Sequence, residues 1–127
     1  MESPAAYTIN FERNRDGVLR ALVAGVRSLP ATIGYWEAIL AEIAKARPTA
    51  LIVLDELVGE ELAASEWKQL VQAMVGRGLE GLPIAHVKPF SFDQISYCER
   101  YAKEAGLNAR AFRREQEAVA WLRSPAG

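Results

Sequence analysis

The amino-acid sequence predicts a single α/β domain over residues 1–127, built on a mostly parallel sheet, and three observations indicate that class. The aliphatic run from Ala50 to Leu54 is short and ends in Asp55, a pattern typical of a parallel strand covered on both faces. Residues 7–26 before it have the pattern of a hairpin, and the segments after it alternate between helical and strand periodicity. The length is that of one domain.

The first two strands are predicted to form an antiparallel hairpin. Tyr7, Ile9 and Phe11 alternate with polar residues, as in a half-exposed strand. Gly17 lies in the following turn, at a position where a positive φ is expected. Residues 18–26 are more apolar, so the second strand is predicted to be the more central of the two.

Helical periodicity begins after Pro30 and ends at Pro48, where the strand at Ala50 follows at once. Its apolar positions are Ile33, Trp36, Leu40, Ile43 and Ala44. Tyr35 lies next to Trp36, and adjacent helical residues point about 100° apart, so one of the two aromatic side chains is expected to be exposed.

The remainder alternates between helix and strand. A second helix is predicted from the apolar stripe Trp67, Leu70, Val71 and Met74. Strands are predicted at Ile84 to Val87 and at Asn108 to Phe112, with a helix between them. A last helix is predicted at Glu115 to Arg123. The predicted order is therefore β-β-α-β-α-β-α-β-α, a mixed sheet with an N-terminal β-hairpin followed by three β-α-β crossovers. The carboxyl ends of parallel strands share one edge, where ligands and partners bind.

Composition excludes several function classes. The formal net charge is −1 and the C-terminal arginines are interleaved with glutamates, so no nucleic-acid surface is expected. A single cysteine, Cys98, and a single histidine, His86, exclude a disulfide and a cysteine- or histidine-based metal site, and no cofactor is expected. With neither a signal peptide nor a run of about 20 apolar residues, a soluble, cytoplasmic protein is expected.

Several positions resemble the STAS domain, the fold of sulphate transporters and anti-sigma-factor antagonists, and in particular its stage II sporulation protein AA-like members. The resemblance rests on Gly25 at the end of the second strand, on the strand Ala50–Asp55, and on the ending from Phe112 through Glu117-Ala118-Val119-Ala120-Trp121-Leu122. That ending is similar to the closing strand and helix of small, stand-alone bacterial proteins of the group. The resemblance implies a non-enzymatic regulatory domain that acts by protein–protein contact.

Antagonist STAS domains carry a phosphorylated serine in an Asp-Ser-Ser/Thr-Gly stretch after the central strand. Here Ser65 is the only hydroxyl residue of the corresponding segment, and it has no neighbouring glycine. Glu60, Glu61 and Glu66 would repel a phosphate there. Phosphorylation of Ser65 is therefore not expected, and the residue is interpreted as a helix N-cap.

Two catalytic interpretations fail on the sequence. Asp55 and Lys88-Pro89 are similar to the phosphate-accepting site of response-regulator receivers, but only one helix separates them and the acidic pair that would hold Mg²⁺ is missing. Ser65, His86 and Asp55 could be arranged on paper as a triad, yet no Gly-x-Ser-x-Gly turn presents the serine. His86 lies inside a strand, where a structural role is expected. The protein is therefore expected not to be an enzyme.

The expected binding surface is the carboxyl edge of the sheet. Asp55, Lys88 and Arg113 or Arg114 each follow a strand, so an ion-paired rim is predicted there. The predicted partner-binding residues are Asp55, Glu56, Glu60, Glu61, Lys88 and Phe90, the loop from Glu56 to Ala64 forming a solvated acidic surface. An unidentified protein or a second copy of the chain is the expected partner. The alternative is a carrier of a lipid or other small apolar ligand, which would need a cavity between a helix and the sheet.

Overall fold

A computed structural model describes residues 7–59, 62–89 and 96–123 of the chain. Within those residues it is an α/β fold in the predicted order of strands and helices, which confirms the fold class. The elements are β1 (Tyr7–Arg13), β2 (Val18–Val26), α1 (Leu29–Lys45), β3 (Ala50–Val58), α2 (Ala64–Met74), β4 (Ile84–Val87), α3 (Ser96–Glu104), β5 (Ala109–Phe112) and α4 (Glu115–Arg123).

The described strands form one sheet in the order β1-β2-β3-β4-β5. β1 is antiparallel to β2, whereas β2, β3, β4 and β5 are mutually parallel. Leu54 of β3 lies opposite Val87 of β4, so the next residues, Asp55 and Lys88, are at the same edge of the sheet. This edge, where β2 to β5 end, is called the carboxyl edge below.

The hairpin turn has the predicted glycine geometry. Gly17 has a φ of 81°, which an L side chain rarely adopts, and its N–H donates to the carbonyl of Asn14 at 3.1 Å. The Asn14 side chain accepts the backbone N–H groups of Asp16 and Val18 at 2.9 and 3.0 Å. The carbonyl of Gly17 accepts the N–H of Thr49 at 2.9 Å, which joins the turn to the start of β3.

The hydrophobic core is divided between the two faces of the sheet. On one face, α1, α2 and α3 pack against alternate residues of the strands, including Leu19, Leu51 and Val53. On the other face, α4 packs against Ile52, Leu54, Ala85, Val87 and Phe112. Arg20 on β2 pairs with Glu115 at the start of α4, with Nε 2.7 Å from Oε2, and this ion pair fixes α4 to the sheet.

In helix α1, the predicted burial of two residues was wrong. Ser28 caps the helix by accepting the N–H of Ala31 at 3.1 Å. Trp36 is buried as predicted, but Tyr35 is buried as well, contrary to the expectation that one of the pair is exposed. The reason is that the Tyr35 hydroxyl has a polar partner inside the protein, as described below. Ile33, predicted on the apolar stripe, is exposed instead.

Within the described part of the chain, no helix combines the length and the apolar character that crossing a membrane requires.

Candidate functional site

The structure places the predicted site residues differently from the expected ion-paired rim. Asp55 and Lys88 lie at the same edge of the sheet, as predicted, but both have a relative exposure of 0%, so they lie in the interior and form no surface rim. Glu56 is half-buried and points to the opposite face of β3, beside Ala24. Glu60, Glu61 and Phe90 lie outside the described residues.

Asp55 is the centre of a buried charge cluster that also contains Arg27, Tyr35, His86 and Lys88. Its Oδ2 accepts hydrogen bonds from Nη1 of Arg27 at 3.1 Å and from the hydroxyl of Tyr35 at 3.4 Å. Nε2 of His86 lies 3.2 Å from the same oxygen. Oδ1 accepts the backbone N–H of Leu57 at 3.1 Å. A buried carboxylate needs several donors to offset its lost hydration, and these contacts provide them.

Arg27 joins the ends of β2 and β3. Besides its ion pair with Asp55, its Nη2 donates to the carbonyl of Leu57 at 3.0 Å. Its backbone N–H donates to the carbonyl of Val58 at 2.7 Å. The guanidinium therefore fixes the position of the β3 end relative to the start of α1, which follows Arg27 in the chain.

Aromatic rings enclose the basic side chains of β4. The His86 ring meets the indoles of Trp36 and Trp67 edge to face, at centroid distances of 6.1 and 6.3 Å. The Lys88 ammonium lies 4.9 Å from the centroid of the Trp67 ring, a cation–π contact in the interior. Trp36 and Trp67 are both buried, as predicted for helix residues that face the sheet.

The protonation states follow from this geometry. Burial by itself would raise the pKa of Asp55, but the hydrogen bond from His86 and the charges of Arg27 and Lys88 outweigh it and hold that pKa well below its usual range. Burial lowers the pKa of His86; Asp55 opposes this, and the charges of Lys88 and Arg27 add to the lowering. At neutral pH, Asp55 is an anion and can only accept, so a neutral His86 donates its Nε2–H.

The stability of the protein is therefore expected to fall when the pH drops below about 6.5, the ordinary pKa of histidine. Below that pH the unfolded chain binds a proton at His86 while the folded chain does not, so stability is lost by up to about 1.4 kcal/mol per pH unit. The measurement is the urea midpoint between pH 7 and 5.

His86→Gln is the control for this titration, because it removes the ionisable group. Its stability, whatever its level at pH 7, should change less between pH 7 and 5 than that of the parent chain. An equal pH slope in both proteins would contradict a buried neutral His86. Below about 3.8, the ordinary pKa of aspartate, protonation of Asp55 in the unfolded chain should cause a further loss.

The contacts of Arg27, Asp55 and His86 connect the ends of β2, β3 and β4. Asp55 and His86, two members of the triad considered from the sequence, do form a hydrogen-bonded pair. Ser65, however, is exposed on the first turn of α2, so the three residues do not form a triad. Among the described residues, no group of three or more histidine, cysteine, aspartate or glutamate side chains could hold a metal ion.

Ser65 is also not the N-cap of α2. The capping residue is Ala63, which has extended backbone angles of φ −66° and ψ 156° and no side-chain hydrogen bond to the helix. Glu66 makes half of a capping box, since its Oε1 accepts the Ala63 N–H at 2.8 Å. The interpretation of Ser65 as a cap was therefore wrong by two residues.

Ala63→Ser is expected to stabilise the protein, because the new hydroxyl can accept a first-turn N–H that Ala63 cannot. The gain should be about 1 kcal/mol in the free energy of unfolding, measured by urea denaturation. Ser65→Ala is the matched control, and it should change the stability by less than about 0.5 kcal/mol. A loss near 1 kcal/mol for Ser65→Ala would restore its role as the cap.

Sequence reasoning missed Arg27 and Tyr35. A signal for Arg27 was available, since it follows β2 directly. Residues at the carboxyl ends of parallel strands lie at the edge where ligands and partners bind, and this holds for Arg27 as it does for Asp55. Tyr35 comes from α1 and could be found only by knowing which helix residue lies above β3.

The carboxyl edge also exposes two apolar side chains, at the ends of β2 and β3. Val26 and Val58 are the last residues of β2 and β3, lie opposite each other in the register, and have relative exposures of 54% and 52%. Their side chains lie on the face away from Tyr35 and Asp55. This pair is called the valine pair below.

No family model matches the chain, and no curated protein matches it.

Proposed function

We propose that this chain is a STAS-like, non-enzymatic regulatory domain of the cytoplasm that acts by binding a protein at the carboxyl edge of its sheet. The valine pair is the observation that carries the proposal. Two large apolar side chains that are each about half exposed, side by side at strand ends, form a surface that a partner can desolvate.

The buried charge cluster supports this interpretation over an enzyme. Asp55, His86 and Lys88 have the chemistry for acid–base work, and all three are buried among protein partners. A general base must reach the proton of a substrate, and these side chains face the interior. Their contacts hold the strand ends that present the valine pair.

The order of the elements and Gly25 support the STAS-like assignment. Gly25 has a φ of 136° near the end of β2, close to the edge where the STAS-like resemblance implies that partners bind. Glu56, half-buried and on the same face as the valine pair, adds a carboxylate that a basic partner residue could meet.

The alternative function, a carrier of a lipid or other apolar ligand, has a cavity in the expected place but of the wrong size. An apolar cavity of about 30 Å³ lies between α2, α3 and the sheet, with Trp36 and His86 in its lining. Pockets for drug-sized ligands occupy roughly 300–1,000 Å³. A carrier that used this cavity would have to move a helix off the sheet, so the interaction domain is the better-supported function.

Replacing the valine pair by Val26→Asp with Val58→Asp is expected to abolish partner binding while the fold survives, because each side chain is already about half exposed. The measurement is quantitative co-purification from the source cells, comparing tagged parent and variant. A partner that binds here should be recovered at least about tenfold less with the variant, since burying two carboxylates in an interface is strongly unfavourable.

Val75→Asp is the matched control. Val75 is also exposed, at 43%, but it caps the far end of α2 and so lies toward the opposite edge of the sheet. Partners retained by the parent and by Val75→Asp but lost with the double variant support the proposal. Equal recovery with the double variant would contradict it, provided that circular dichroism shows both variants folded.

A further inference from the structure

Strand β1 lies at one edge of the sheet, and its outer side is open. Among the described residues, β1 pairs only with β2, in one regular register that runs from Tyr7 to Arg13. No other backbone or side-chain group of the described chain bonds to the outer backbone of β1. Natural proteins usually protect an edge with proline, a bulge or a very short strand, and this seven-residue edge has none of these.

The hydrogen-bonding pattern identifies which residues of β1 point out of the sheet. The N–H of Asn14, one position beyond β1, donates to the carbonyl of Val18 at 3.1 Å. Bonded and non-bonded pairs alternate along an antiparallel ladder, so the even-numbered residues of β1 bond to β2. The N–H and C=O groups of the odd-numbered residues therefore point outward. These residues are Tyr7, Ile9, Phe11 and Arg13.

The same odd-numbered positions carry the apolar side chains of β1. Tyr7, Ile9 and Phe11 pack against the core on the face of α1, yet each is only half-buried at this edge of the sheet. Gly34 places α1 directly above Tyr7, because a Cβ at Gly34 would lie 2.8 Å from the tyrosine hydroxyl oxygen. A further strand at this edge would therefore extend both the sheet and its apolar layer.

The opposite edge of the sheet is less open to pairing. β5 has only four residues, and the outward N–H of Ala111 already donates to Oε2 of Glu99 at 2.8 Å. A strand that paired with β5 would have to displace that charge-assisted hydrogen bond. This disfavours a head-to-tail contact between β1 of one copy and β5 of the next, and it leaves β1 of a second copy as the matching edge.

The spacing of the outward residues fits β1 to itself about a two-fold axis at Asn10. In an antiparallel pair centred there, Ile9 of one copy lies opposite Phe11 of the other. Tyr7 likewise lies opposite Arg13, so every outward donor and acceptor of β1 is used. A register shifted by two residues in either direction would leave Tyr7 or Arg13 unpaired in both strands.

The charges of β1 also favour this register. Glu12 of one copy lies opposite Thr8 of the other, and Arg13 lies opposite the ring of Tyr7, so like charges do not face each other. A register centred on Glu12 would place two glutamates side by side. We propose that β1 pairs antiparallel with β1 of a second copy of this chain, centred on Asn10, and joins two sheets into one.

This dimer goes beyond the proposed function, because it uses neither residue of the valine pair. Val26→Asp with Val58→Asp should leave self-association unchanged while it abolishes binding of the other partner. The two proposals can therefore fail independently.

Disulfide cross-linking tests the register. Cys98→Ser first removes the single native cysteine, and Asn10→Cys then places one cysteine of each copy at the two-fold axis. Opposite residues of a non-hydrogen-bonded pair have Cα atoms about 4.5 Å apart, a distance that a disulfide spans. Under mild oxidation, most of this variant should migrate as a covalent dimer on a non-reducing gel.

Thr8→Cys in the same background is the matched control, since Thr8 is also exposed and has the same orientation in β1. In the proposed register the two Thr8 positions are about 14 Å apart, too far for a disulfide. This variant should give at least about tenfold less covalent dimer. Equal cross-linking of the two variants would indicate random collision or another register and would overturn the proposal.

Ile9→Pro tests the backbone hydrogen bonds. Proline removes the outward N–H and leaves the bonds to β2, and edge strands tolerate proline in that orientation. In sedimentation equilibrium of the full chain, the dimer dissociation constant should rise at least about tenfold. Ile9→Val, which keeps the N–H and an apolar side chain, should change that constant by less than about threefold.

A parent chain that stays monomeric up to about 100 μM would overturn the proposal. An Ile9→Pro dimer as tight as that of the parent would overturn it too, provided that circular dichroism shows the variant folded. If Ile9→Pro does not fold, the comparison of Asn10→Cys with Thr8→Cys decides.

Discussion

Asp55→Ala is expected to lose a large part of the stability of the fold at neutral pH. Removing the carboxylate takes the central acceptor away from Arg27, Tyr35 and His86, and it leaves the charge of Arg27 in the interior without that ion pair. Breaking a buried ion pair from one side destabilises a protein by about 3–5 kcal/mol. The whole stability of a domain is only about 5–15 kcal/mol.

The measurement is urea denaturation followed by circular dichroism and tryptophan fluorescence. Glu56→Ala is the matched control, since Glu56 is the next residue of β3, carries the same charge and points to the opposite face. It should lose less than about 1 kcal/mol. Asp55→Asn, which keeps the shape and removes the charge, should fall between the two. An Asp55→Ala protein as stable as Glu56→Ala would mean that the cluster contributes little to the fold.

Ending the chain after Phe112 is expected to unfold it. Among the described residues, α4 is the helix that covers the second face, where Ile52, Leu54 and Val87 would otherwise face water. The deletion also removes the ion pair between Glu115 and Arg20. The lost burial is comparable to the net stability of a domain, so the truncated chain should be unfolded or aggregated, as seen in circular dichroism and gel filtration.

Point variants separate the anchors of α4 from the rest of the helix. Trp121 and Leu122 pack on the second face but are half-buried, so Trp121→Ala with Leu122→Ala should lose about 2–5 kcal/mol, less than two fully buried side chains would. Gln116→Ala, at an exposed position of the same helix, should be nearly neutral. A truncated chain that stays folded and soluble would show that α4 is peripheral.

The order of strands and helices was predictable because it depends on local pattern. Residues adjacent in sequence are enough to predict three features: the alternation around Ile9, the turn at Gly17 and the aliphatic run before Asp55. The shared edge of Asp55 and Lys88 then follows from parallel strands ending together. None of these inferences requires knowing which side chains touch across the fold.

The burial of the charge cluster was not predictable in the same way. Strand-end polar residues usually face solvent, so Asp55 was predicted to lie on an ion-paired rim of the sheet. Asp55 is buried because Tyr35 of α1 and Arg27 donate hydrogen bonds to its carboxylate. Hydrophobic periodicity does not predict either contact. The cap at α2 failed for another reason: the helix begins after Ala63, a residue that sequence rules do not favour as a cap.

The partners of Asp55 have a consequence for folding kinetics. Tyr35, Arg27 and His86 are 20, 28 and 31 residues away from it along the chain, and they belong to three different segments of the fold. Contacts between such distant segments require several loops to close first, so we expect the cluster to form late, after the folding transition state. Weakening it should then leave the folding rate almost unchanged and accelerate unfolding. The buried charges would determine how long a folded molecule persists, and the strands and helices how quickly it forms.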